Sequence, residues 1–156
     1  MWVLSGALRC TAMGAVGDRR KGEPFSIRLS GPTDRLVVAE AQRTKRSKSA
    51  VVEALAEEAA RTRRFPGIGF KGEDAARRAW VLGSGLDVWE VVQMLEDFGD
   101  SAALSAETQL SERQIRLAVA YRDEFPEEID EAVAENRRTP EEWHELYPFV
   151  ELAPRP

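Results

Sequence analysis

One cysteine and one histidine in 156 residues remove much of ordinary site chemistry. Cys10 has no second thiol for an internal disulfide, which suits a reducing compartment and leaves pairing between chains open. With His144 the single imidazole, a zinc site built from soft ligands is out of reach. Long apolar runs are missing too, since nothing approaches the ~20 residues that a membrane span requires. The opening "MWVLSGALRCTAMGAVGD" is apolar and rich in small residues, yet it fails as a secretory signal. Arg9 interrupts it, and no lysine or arginine comes earlier. Residues 1–22 are expected to be a flexible extension, with Met13 as a second candidate start. The expected location is cytoplasmic, with no cofactor, no bound metal and no membrane contact.

What the chain does have is charge, unevenly placed. Residues 1–65 hold 13 Lys and Arg against 7 Asp and Glu, whereas residues 66–156 hold 9 against 20. A basic first part joined to an acidic second part points to a polyanion met by one and a different partner met by the other. The densest basic stretch is "RTKRSKS", residues 43–49, with four cationic side chains in seven residues.

The pattern around that stretch gives it a frame. Phe25, Ile27 and Leu29 alternate with Ser26, Arg28 and Ser30, the period of a half-buried strand. Gly31 and Pro32 are expected to stop it, and Thr33 to cap a helix that runs to about Arg43 and buries Leu36 and Val37. A second helix, "AVVEALAEEAARTRR", carries Val51, Val52, Leu55 and Ala59 as one apolar stripe. Ser47 or Ser49 is its natural cap, which puts "KRSKS" at the positive end of the helix dipole. A lone short strand has no mate in its own domain, and the simplest solution is an antiparallel ribbon with the same strand of a second copy.

Pro66, Gly67, Gly69 and Gly72 mark a boundary near residue 65. "GIGF" and "AWVL" are expected to form a small hairpin. After it come an apolar helix capped by Asp87, a short helix within "GDSAALSAETQ", and a third helix capped by Ser111. These three make a small trihelical bundle. Trp80 and Trp89 sit at apolar positions and are expected in its core. The carboxylate run "DEFPEEIDEAVAE" is expected to be a solvated acidic helix with Ile129 and Val133 as its large apolar residues. Thr139, Pro140 and Glu142 then spell a capping box for a last helix, with Trp143, Leu146 and Tyr147 on one face.

Residues 25–61 resemble the ribbon-helix-helix family of DNA-binding repressors and antitoxins. The resemblance lies in the alternating strand "FSIRLS", the helix after it, and the turn "RTKRSKSAVVEAL". It implies an obligate homodimer through the N-terminal strand, whose ribbon enters the major groove of operator DNA. By position, Ser26 and Arg28 would face bases, with Pro24 at the third place where the family usually has a polar residue. Arg28 suits the two acceptors of guanine. Arg43, Lys45, Arg46, Ser47, Lys48 and Ser49 would lie against phosphate, where helix N–H groups and the dipole independently favour an anion.

Residues 65 to about 135 look like a small antitoxin-associated domain with a homeodomain-like core. The pieces that match are "RFPGIGF", "RRAWVLGSGLDVWEVVQML" and "LSERQIRLAVAYRDEFPEEID". That family is usually read as a helix-turn-helix. Here the excess of acids around Arg113, Arg116 and Arg122 favours packing against protein over groove reading.

In the tail, Arg137, Arg138, Trp143, Leu146, Tyr147, Phe149 and Leu152 are candidate partner contacts, because aromatic and arginine side chains anchor interfaces. In antitoxins of the VapB type the C-terminal segment wraps a PIN-type ribonuclease toxin, so the resemblance implies such a partner. Docking of the tail on the chain's own second domain is the alternative.

The expected organisation is therefore mainly α. A flexible stretch over 1–22 precedes a ribbon-helix-helix domain over 23–64. A trihelical, helix-turn-helix-like domain with a β-hairpin follows over 65–136, and then a helical partner-binding tail over 137–156. The expected function is a non-enzymatic antitoxin and autorepressor. A stand-alone regulator whose acidic part serves oligomerisation or effector binding is the alternative.

Overall fold

The computed structural model describes residues 26–73 and 77–149. The expected extension over 1–22, Pro24 and Phe25 of the strand, and Leu152 lie outside the described residues. Within them the chain is mainly helical, with one small antiparallel sheet.

Helix α1, Gly31–Thr44, starts earlier than expected. Ser30, in extended conformation, accepts a hydrogen bond from the Thr33 N–H at 3.4 Å, so the cap is Ser30 and not Thr33. Gly31 and Pro32 belong to the first turn. The missing proline N–H costs nothing there, because first-turn N–H groups lack intrahelical acceptors anyway. Helix α2, Lys48–Arg64, is capped by Ser47, whose Oγ accepts from the Ala50 N–H at 3.1 Å.

The two helices pack through Val37 and Val51, which are 3% and 2% exposed. Leu36 was expected to be buried beside Val37, yet it is 72% exposed. One residue is a 100° step around a helix, and α1 packs mainly on α2, so Val37 takes the covered side. Leu55 on α2 and Ile27 before α1 are exposed as well. Residues 26–30 form no ladder with any described strand.

Helix α2 ends at Phe65, which leaves helical geometry and enters a separate, larger core. Strands β1, Ile68–Lys71, and β2, Arg78–Val81, pair antiparallel with Ile68 opposite Val81 and Phe70 opposite Ala79. Two glycines permit this hairpin to lie where it does. Gly67 has φ +117°, and a Cβ there would stand 2.7 Å from Leu117. A Cβ on Gly69 would stand 2.8 Å from the indole nitrogen of its cross-strand neighbour Trp80.

Helices α3, Val88–Phe98, α4, Ser101–Glu107, α5, Glu112–Glu124, and α6, Pro126–Asn136, close the core. Ile68, Val81, Val88, Val91, Leu104, Ile115, Ala118 and Tyr121 are its most enclosed residues. The starts of α3 and α5 follow the expected chemistry. The Asp87 N–H donates to Glu90 at 2.6 Å, and Ser111 accepts from the Gln114 N–H at 3.3 Å. Asp87 is 2% exposed and holds Lys71 Nζ at 2.7 Å and Arg78 Nε at 3.1 Å, which ties the hairpin to the start of α3.

The acidic helix α6 keeps the expected solvated acidic face and buries its expected apolar pair, and it adds a fourth helix to the expected trihelical bundle. Ile129 and Val133 are buried against α3 and α5, so it is a fourth helix of this core, with its carboxylates turned outward. Trp89 is half-buried against the core, and Trp80 lies half-buried on the hairpin with Lys71 Nζ 5.5 Å from its ring. Helix α7, Pro140–Leu146, has the capping box expected of Thr139 and Glu142, and none of its residues is buried.

Candidate nucleic-acid interface and partner-binding tail

The basic turn between α1 and α2 owes its shape to Lys45. Its φ of 54° is left-handed, and its N–H donates back to the Ala41 carbonyl as a helix C-cap. Glycine usually occupies such a position, and a side chain there costs about 1 kcal/mol. Lys45→Gly should therefore raise the free energy of unfolding by about 1 kcal/mol, read from urea denaturation followed by circular dichroism. No change, or a loss, would mean that the lysine supports the fold. Among the described residues Lys45 is the one non-glycine residue with positive φ. Strain of this kind commonly collects where a side chain has work beyond folding.

The candidate phosphate contacts do not all face the same way. Ser47 and Ser49 are exposed at the start of α2, where the Lys48 and Ser49 N–H groups precede the intrahelical ladder. Lys48 Nζ reaches Asp34 Oδ1 at 2.6 Å, with both side chains about half exposed. An exposed pair of this kind is worth at most about 1 kcal/mol, so a phosphate can compete for the lysine. Arg43 grips Glu40 with two hydrogen bonds of 3.0 and 2.7 Å, and the bond to Arg43 holds the Glu40 carboxyl below its ordinary range. Arg46 turns away. It is half-buried, donates to the Ala50 carbonyl at 3.1 Å, and lines a cavity against the larger core. Ser26 and Arg28, the candidate base contacts, are both exposed.

The structure splits the two tail arginines. Arg137, just past the end of α6, bonds Asp97 at 2.9 Å and Glu96 at 3.1 Å, both on α3. It is held by its own core. Arg138 lies over the Trp143 ring, 5.3 Å from its centre. Trp143 stacks on Tyr147 at 5.7 Å, and Phe149 meets Tyr147 edge-on at 5.9 Å. Leu146, Tyr147 and Phe149 are 54%, 44% and 82% exposed, so this aromatic cluster is not docked on the core.

The sequence reading missed one site. Arg61, on α2, donates to the Tyr121 hydroxyl at 2.8 Å and to Glu128 at 2.6 Å, pairs with Glu57, and lies 4.0 Å above the Phe125 ring. Burial alone would favour a neutral Arg61, but the hydrogen bond to Glu128 and the Tyr121 contact outweigh it and hold the charge firmly. Burial, with the Glu128 charge adding to it, pushes the Tyr121 phenol above its ordinary range, so it stays protonated. The only local signal was the Glu57–Arg61 spacing of four, because the other partners lie 60 and 67 residues away.

Among the described residues, no group of three or more His, Cys, Asp or Glu side chains could hold a metal ion. No helix there is long and apolar enough to cross a membrane. Compared with family models, with curated proteins and with solved structures, the chain finds no match in any of the three.

Proposed function

We propose that the chain is a DNA-binding antitoxin that works as a dimer, represses its own operator, and blocks a PIN-type ribonuclease with its C-terminal segment. The observation that carries this reading is the unit formed by α1 and α2. It encloses only Val37 and Val51, leaves Ile27, Leu36 and Leu55 exposed, and presents a capped helix start in a basic turn. Two valines are too small a core to hold two helices, and a second copy laid on the exposed apolar residues completes it. The ribbon of residues 25–30 would then pair across the twofold axis and carry Arg28 and Ser26 into the major groove.

The exposed cluster of Trp143, Leu146, Tyr147 and Phe149 supports a protein partner for the tail, since such residues anchor interfaces when an apolar groove covers them. Arg137, engaged with Glu96 and Asp97, is withdrawn from that partner, which leaves Arg138 as the cation beside the cluster. The same engagement favours the second reading, a stand-alone regulator, to the extent that toxin blocking needs Arg137.

Removing residues 139–156 keeps Arg137 in place and separates the two readings. The truncated chain should shift operator DNA like the full chain, but fail to rescue growth when co-expressed with a toxic product of the neighbouring open reading frame. Rescue by the truncated chain would exclude the tail as the blocking segment. A harmless neighbour would leave the regulator.

A further inference from the structure

The basic turn and the larger core meet at a cavity of about 330 Å³, walled in part by Ala54 and Phe70. Arg46, Arg61 and Arg77 line it together with Glu57, Glu58 and Glu128. Three cations face three anions, and they come from different parts of the chain. Arg46 belongs to the turn, Glu57, Glu58 and Arg61 to α2, Arg77 to the loop before β2, and Glu128 to α6. Arg77 bonds Glu58 at 2.9 Å and also donates to the Phe70 and Gly72 carbonyls, so this one side chain ties α2 to the end of β1. Arg61 fixes α2 to α5 and α6 through Tyr121 and Glu128.

Apolar burial does not duplicate this connection. Val37 and Val51 stand apart from the main core cluster, which takes only Phe65 from the end of α2. At Phe65 the backbone is no longer helical, and Pro66 and Gly67 follow it. A natural pivot therefore lies beside a contact in which ion pairs predominate, on side chains that are partly exposed. Such pairs weaken with ionic strength.

We propose that this cavity is an electrostatic latch: Arg61 and Arg77, engaged with Glu57, Glu58 and Glu128, hold the α1–α2 unit against the larger core, and its release swings α2 about Phe65 while both parts stay folded. The freed α1–α2 unit stays folded through its second copy, so the latch rests on the proposed dimer and not on DNA binding.

The test places spin labels at Gln42→Cys on α1 and Glu107→Cys on α4 in a Cys10→Ser background, diluted with excess unlabelled chain so that distances within one copy dominate. Both sites are exposed and away from the cavity. In about 0.01 M salt, where screening reaches ~30 Å, one narrow distance peak is expected. In about 1 M salt, where it is ~3 Å, that peak should be lost. Glu58→Gln with Glu128→Gln should lose it at both salts, with the tryptophan near-ultraviolet dichroism unchanged. Exchanging the pair, Glu58→Arg with Arg77→Glu, should restore the peak at low salt. A narrow peak that survives in the double variant overturns the latch, as does one that survives high salt in the native background. Broadening accompanied by loss of the tryptophan signal overturns it too, since the cluster would then be part of the core.

Discussion

Leu36→Glu should turn a dimer into a monomer and abolish operator binding. In the single chain Leu36 is 72% exposed, and a substitution on such a surface ordinarily changes stability by no more than about 0.5 kcal/mol. A dimer across the α1–α2 face changes the arithmetic, because a twofold axis brings both copies of Leu36 into one interface. Burying a leucine contributes about 1.5–3 kcal/mol, so losing two removes about 3–6 kcal/mol, and two enclosed carboxylates add to the loss. A loss of about 4 kcal/mol weakens association roughly a thousandfold. Light scattering reads the mass, a gel shift reads the DNA, and the dichroism of the larger core serves as the control for folding. A variant with unchanged dimer mass would remove this face from the interface, and a monomeric native chain would remove the ribbon altogether.

The second large effect divides Arg28 from Lys48. An arginine that meets guanine through both ring acceptors contributes about 1–3 kcal/mol of discrimination. Arg28→Ala should thus cost about 5- to 150-fold on the operator and far less on random DNA, so that the ratio between them falls. Lys48→Ala should weaken both alike and flatten the dependence on salt by about one phosphate contact. The Asp34 pair tempers that loss only slightly, because the free lysine already satisfies part of its charge there. The measurement is a titration of operator and scrambled duplexes across a range of salt. Equal losses on the two duplexes for Arg28→Ala would mean that it touches only backbone.

Local signals in the sequence carried furthest. Ser47, Asp87, Ser111 and the Thr139–Glu142 pair all open the helices expected of them, because a cap is decided by residues three or four apart. The hairpin was legible from glycines and short apolar runs for the same reason. Ser30 and not Thr33 is the cap because Gly31 and Pro32 do not stop the chain, since the first helical turn accepts proline readily. Leu36 looked buried because periodicity marks an apolar side of a helix and cannot say whether the same chain covers it. Among the site residues, Arg46 looked equivalent to Lys45 and Lys48 in the charge run. Its side chain instead folds back onto the Ala50 carbonyl and lines a cavity with Glu57, Glu58 and Glu128, a placement the charge run alone does not spell out.

Helix α2 is one uninterrupted rod from Lys48 to Arg64, 17 residues and about 25 Å long. On release of the proposed latch it would act as a lever arm pivoting at Phe65, with the basic turn at its far end. A rotation of about 10° at Phe65 displaces Ser47 by about 4 Å, comparable to the ~3.4 Å rise of one nucleotide step along DNA. If the basic turn meets DNA as proposed, a small change in how the acidic part of the molecule sits would be enlarged, by geometry alone, into a shift of register at the other end.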